Sequence, residues 1–242
     1  MYMTSATFLN PAMKVTRLVV GNERIPVLVI DDLSLNYNEL IACACENVNH
    51  SSAFTASNGD LYPGVRKPSP ANYSEQLKEL LPILKSSFNF IDSNGMKVVF
   101  SAFSIATTPV TKLRPIQMLP HFDTPSVNQL AAVHFLCAKA YGGTSLYRHK
   151  ASGFERITQQ RLAPYRAMIK QQAIAQRLHE RPSYISSDTT LFEQIASLEA
   201  KPNRLIVYPS NALHSGNINP DLGLSSNPST GRLTISSFLV FG

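Results

Sequence analysis

From Met96 to the C-terminus the chain is cut into short runs rich in β-branched and aromatic residues: MKVVFSAFSIAT, KLRPIQML, QLAAVHFLC, TSLYRH, RLIVYP and RLTISSFLVF. Gly, Pro and Asn separate them. Runs of that length, closed by turn-forming residues, predict a mainly β fold, a sandwich or barrel. Helices are expected beside that core and inside one insertion. Two helical segments are read between 155 and 200, the first interrupted near Pro164 and the second capped by Thr190-x-x-Glu193.

The first third mixes strand and helix. VTRLVVGNERIPVLVIDDL holds two β-branched runs around the turn-like Gly21-Asn22, and Asn36-x-x-Glu39 opens a helix from Tyr37 to Asn47. NHSSAFTASNGDLYPGVRKPSP is rich in turn formers and reads as a long loop, followed by a helix near Ser74 to Phe88 that includes Pro82. No linker composition interrupts the chain, so 1–242 is read as a single domain. Residues 1–95 form a strand and helix support region, and 96–242 form the core with a helical insertion at about 150–202. With 242 residues and 44% hydrophobic content, a sizeable core is available.

Charge is concentrated in one place. Between Arg148 and Arg181 eight Lys or Arg face only Glu155 and Glu180, so this segment carries the whole formal +6 of the chain. That is either a solvated helical face or a surface for an anionic partner. Nucleic acid is not the expected partner, because the segment interleaves few aromatics (Phe154 and Tyr165) and has no recognised binding motif. Cys43, Cys45 and Cys137 lack paired spacing and read as packed thiols in a reducing compartment. No segment reaches membrane-spanning length and the N-terminus does not read as a signal peptide, so a soluble cytoplasmic protein is expected.

The candidate chemistry begins at PHFDTP, where His121 and Asp123 stand two residues apart between prolines. On an extended chain such residues share a face and can close on one point, such as a metal ion. His214, in NALHSGNINP after the strand Arg204 to Tyr208, is the third candidate ligand. Two histidines and a carboxylate occupy one face of an octahedral metal and leave three positions open, as in non-haem Fe(II) oxygenases. Arg232 opens the last strand with Thr234 on the same face, a guanidinium and hydroxyl suited to a carboxylate. No Gly-x-Ser-x-Gly is present, which argues against a serine hydrolase.

In this order, PHFD, LAAVHFLC, GGTSLYRH, NRLIVYPSNALHSG and GRLTISSF resemble the Fe(II)- and 2-oxoglutarate-dependent oxygenases, especially their prolyl-4-hydroxylase-like branch, over about Val98 to Phe241. IPVLVIDDLSLNYNELI is similar to the strand and helix that often precede that family's core. The resemblance implies a double-stranded β-helix, or jelly roll, with flanking helices. It implies that His121, Asp123 and His214 hold Fe(II), and that Arg232, assisted by Thr234, binds the distal carboxylate of 2-oxoglutarate. It further implies that O2 is consumed to hydroxylate a C–H bond while 2-oxoglutarate becomes succinate and CO2. The tyrosine that often contacts the oxoglutarate is not visible, so Gln117 or His134 is read in its place. Arg148 and His149 are read as pointing into the mouth. A small-molecule, carrier-borne or peptide-borne substrate is expected, anionic if the basic insertion lies beside the site. The alternatives are a cupin-like metal-binding barrel without oxoglutarate chemistry and a nucleic-acid-demodifying oxygenase.

Overall fold

The structure, a computed structural model, describes residues 8–46, 53–56, 61–90, 92–222 and 224–242. An N-terminal hairpin, β1 (Lys14–Val20) and β2 (Ile25–Asp31), turns through Gly21, whose φ of +70° places it in the left-handed region. Helix α1 (Tyr37–Cys45) follows, then strand β3 (Gly64–Pro68), and helices α2 (Ala71–Leu77) and α3 (Leu81–Phe88) joined by a single 3-10 turn. Then come β4 (Met96–Ala106), β5 (Gln129–Phe135), β6 (Thr144–His149), helix α4 (Gln159–Ala175), β7 (Phe192–Leu198), β8 (Arg204–Pro209), β9 (His214–Gly216) and β10 (Leu233–Phe241).

The strands form two sheets, one of seven strands in the order β1-β2-β8-β5-β10-β4-β3 and one of three in the order β7-β6-β9. Every pairing between these strands is antiparallel. The molecule is thus mainly β, compatible with a jelly-roll sandwich. Strand alternation sorts side chains into two layers. Leu130 and Ala132 of β5, with Leu205 and Val207 of β8, face α1–α3 in one core; Ala131 and Phe135, with Ile206 and Tyr208, face the small sheet in another. A third cluster seats α4 through Tyr165 against Tyr147 and Phe192.

Several local expectations are corrected. The second helix of the insertion is instead strand β7, paired along β6 from Leu198↔Thr144 to Phe192↔His149. Phe192, Ile195 and Leu198 suit a helical period, but the open edge of β6 captures the segment, and Thr189 rather than Thr190 caps its entry. Helix α4 runs unbroken through Pro164, which lies one turn inside its start. KLRPIQML forms two 3-10 turns, Val110–Lys112 and Pro115–Met118, rather than a strand, because Pro115 cannot donate to a ladder.

The long loop of 49–70 contains β3, an edge strand ending in Pro68. The helix read from Ser74 begins at Ala71. Helix α1 ends at Cys45, and Asn47 lies outside the described residues. Cys137 is packed and Cys43 half-buried, whereas Cys45 is exposed. Among the described residues no helix is long and apolar enough to cross a membrane.

Candidate functional site

The site lies between the two sheets. A pair of backbone bonds, His121 N to His214 O (2.9 Å) and His214 N to His121 O (2.8 Å), locks the PHFD segment against the start of β9. Asp123 is fixed in turn by its amide, which donates to the Ser210 carbonyl at 2.8 Å. These bonds explain why residues 93 apart in sequence present their side chains at one point. His121 Nε2 lies 3.9 Å from Asp123 Oδ1, and His214 Nε2 lies 3.8 Å from Asp123 Oδ2. One donor atom from each of the three residues falls within 4.8 Å of the others.

The local chemistry fits a divalent cation. Asp123 Oδ2 is buried and accepts no hydrogen bond, an arrangement that costs free energy unless a cation faces it. His214 Nδ1 meets the Ala212 carbonyl at 3.0 Å, so this nitrogen carries the proton and Nε2 turns a lone pair toward Asp123. Burial lowers the pKa of His214 to about 4, partly opposed by that hydrogen bond, and keeps the imidazole neutral as a ligand must be. Burial raises Asp123 to about 6, with His121 and Arg66 pulling it back. His121 shifts downward through desolvation and then through His214 beside it. Half of its side chain still reaches water (50% exposed), so its desolvation is the weaker of the two and the neutral-ligand argument rests on His214.

These residues end a cavity of about 340 Å³ whose lining also includes Arg232, Thr234 and Gln117. Arg232 is 3% exposed and is aimed by two backbone carbonyls: Nε donates to Gly142 O at 3.0 Å and Nη2 to Gly143 O at 2.7 Å. The glycines are needed there. A Cβ on Gly142 would come within 1.5 Å of the Asn217 carbonyl oxygen, and one on Gly143 within 1.8 Å of that of Leu198. Thr234 donates to the Ser104 carbonyl at 3.4 Å and faces the same cavity.

Gln117 stands at the rim, tied to the Leu61 carbonyl (3.2 Å) and the Arg114 amide (2.9 Å). Three other expectations move away from the cavity. His134 points to the helical layer, between the Tyr73 hydroxyl and Asn203 Oδ1 (3.2 Å each). Arg148 is held by Glu155 and Glu193, both at 2.6 Å, and His149 is buried between Ser152 and Gln172 beneath α4. These partners make them structural residues.

The basic segment is also reassigned in part. Arg148, Arg156, Arg161 and Arg177 are in ion pairs within the chain, and Tyr184 is the residue of the insertion that lines the cavity. Sequence reasoning missed Tyr62 and Arg66. Tyr62 lines the cavity together with Arg232, and burial raises the pKa of its hydroxyl, opposed by the positive charge of Arg232. Both residues come from the segment read as a loop, whose pairing with β4 leaves no periodic mark in the sequence.

A sequence model described as a family of unknown function (DUF6445) matches residues 11–239. No curated protein matches the sequence. Among solved structures, AviO1 from Streptomyces viridochromogenes Tue57 is similar at a TM-score of 0.42 and 10% identity, over 97% of this chain and 90% of that one. HygX from Streptomyces hygroscopicus, determined with nickel and 2-oxoglutarate bound, is similar at a TM-score of 0.44 and 10% identity, over 88% and 82% of the two chains. Similarity at this level assigns no residue and no reaction.

Proposed function

The chain belongs to the family of unknown function DUF6445, and we propose that it is a non-haem iron oxygenase that hydroxylates a C–H bond while 2-oxoglutarate is oxidatively decarboxylated to succinate and CO2. The observation that carries this reading is the pairing, in one cavity, of the His121–Asp123–His214 donor set with the buried, glycine-aimed guanidinium of Arg232. The first would hold a divalent metal at the end of the cavity. The second offers a planar fork for a carboxylate, as a dicarboxylate spanning the two would require.

When bound, iron(II) supplies the oxidising chemistry of O2 coupled to loss of CO2. The chain's own work is binding, orientation and exclusion of water. His214 is oriented by the Ala212 carbonyl, and Asp123 supplies the one anionic ligand. Arg232, in a cavity that Thr234 and Tyr62 also line, receives the distal carboxylate of 2-oxoglutarate. Ala131, Val133, Ile218 and Phe238 give the cavity apolar walls that keep bulk water from the reacting atoms. Cys43, Cys45 and Cys137, all free thiols, support a reducing, cytoplasmic setting.

Anaerobic calorimetric titration tests the reading, first with Fe(II) and then with 2-oxoglutarate. One iron per chain is expected, followed by one 2-oxoglutarate whose affinity depends on the iron. Iron binding with no 2-oxoglutarate binding would replace the proposal with a cupin-like metal barrel. Salt-sensitive retention on single-stranded DNA or RNA would instead identify the substrate as nucleic acid.

A further inference from the structure

A second guanidinium lines the same cavity. Arg66 lies in the middle of β3, opposite Ser104 of β4, which in turn lies opposite Thr234 of β10. The three residues therefore form a row across one face of the sheet, and the Arg66 Cα stands roughly 10 Å from that of Thr234, two strand spacings away. Arg66 is thus on the cavity wall but displaced from the carboxylate end that Arg232 and Thr234 define.

Its guanidinium carbon lies 4.6 Å from the centre of the Tyr62 ring and 5.1 Å from that of Phe100. Stacking fixes the faces of a guanidinium; its five N–H donors lie in the plane and point along the edges. An anion would meet such a guanidinium along that plane, at its edges, rather than on its stacked faces. Arg66 lines the same cavity as His121 and Asp123.

A second feature concerns the rim. Leu61 and Ile116 also line the cavity, yet they remain 50% and 49% exposed. They come from separate segments that the fold brings to one opening. Large apolar side chains half in water beside a concave site mark a contact for an apolar ligand.

We propose that Arg66 anchors a carboxylate or phosphate of the substrate, whose apolar body lies against Leu61 and Ile116. The substrate is then an anionic amphiphile, held by its charged end inside the cavity that His121, Asp123 and His214 also line. Calling this ligand the substrate rests on the oxygenase reading; the anion site itself rests on Arg66 and the rim.

Four probes of one chain length separate the terms: octanoate, octyl phosphate, octan-1-ol and octylammonium. Each is titrated anaerobically into the full chain, with and without Fe(II) and saturating 2-oxoglutarate. At least one of the two anions is expected to bind, and whichever is tighter identifies the headgroup. Octan-1-ol should bind about tenfold more weakly or worse, and octylammonium not at all. Arg66→Gln should weaken the preferred anion about tenfold or more. Leu61→Ser with Ile116→Ser should weaken octanoate more than acetate.

Failure of both anions to bind the parent, octan-1-ol matching the better anion, or an Arg66→Gln variant with parent affinity overturns the assignment. Should Arg66→Gln fail to fold by circular dichroism, Arg66→Lys decides. It keeps the charge without the planar fork, so a loss of about threefold or more is expected and parent affinity overturns the proposal. Arg66-dependent anion binding in a chain that ignores Fe(II) and 2-oxoglutarate would leave the anion site standing and remove the oxygenase reading. Iron and 2-oxoglutarate binding without amphiphile binding would remove the Arg66 assignment alone.

Discussion

Asp123 is where the residue scale is decided, since its Oδ2 is buried without a donor while two imidazole nitrogens lie within 4 Å of its carboxylate. On the proposed reading, replacing His121, Asp123 or His214 by Ala removes one of three candidate ligands. Each variant is expected to weaken Fe(II) binding by two orders of magnitude or more, on the order of 3 kcal/mol, with the fold retained; metal titration followed by circular dichroism checks both parts. Arg232→Ala should leave iron affinity nearly intact and weaken 2-oxoglutarate by roughly 2–5 kcal/mol, because a buried charged partner is lost. Calorimetry on the iron-loaded protein reads that difference directly. That His121, Asp123 and His214 meet at one point was legible in the sequence from their order along the chain. Tyr62 and Arg66 were not, because their place on the cavity wall depends on strand pairing between segments far apart in sequence.

At the scale of elements, the start of β6 does two jobs at once. Gly142, at φ +85°, brings the chain against Asn217, and its carbonyl with that of Gly143 aims Arg232. Gly142→Ala is therefore expected to cost roughly 2 kcal/mol or more in urea unfolding, and also to weaken 2-oxoglutarate binding by letting Arg232 turn. A variant that loses stability while keeping parent affinity for 2-oxoglutarate would separate the two jobs. Five of the six runs from Met96 onward emerged as strands because alternation and turn residues agreed there. β7 escaped because Phe192, Ile195 and Leu198 fit a helical period and not a strand's alternation, which the irregularity in the β6–β7 ladder interrupts. β3 escaped because five residues at a sheet edge, ending in proline, look like loop until β4 is there to pair with.

For the molecule as a whole, the seven-stranded sheet divides two environments: a helical layer behind it and the cavity in front. His134 belongs to the first, fully buried between Tyr73 and Asn203, and burial lowers its pKa to about 4, with the Asn203 bond opposing. Its folded pKa lies below the unfolded value near 6.5, so the unfolded chain takes up the proton first. Stability present above about pH 6.5 is lost as pH falls and the loss is complete below about 4, to the extent of roughly 3 kcal/mol from this residue. Urea midpoints measured from pH 7 to 4 should fall, and His134→Gln should flatten that slope; an unchanged slope would contradict the neutral buried imidazole. In front of the sheet, the central claim is that one cavity holds iron and 2-oxoglutarate together, and the most direct test is anaerobic visible absorption as both are added to the apoprotein. A charge-transfer band that needs iron and 2-oxoglutarate together is expected in the parent. It should be absent in His214→Ala and require far more 2-oxoglutarate in Arg232→Ala. A parent chain that binds iron and shows no band at saturating 2-oxoglutarate would contradict the account.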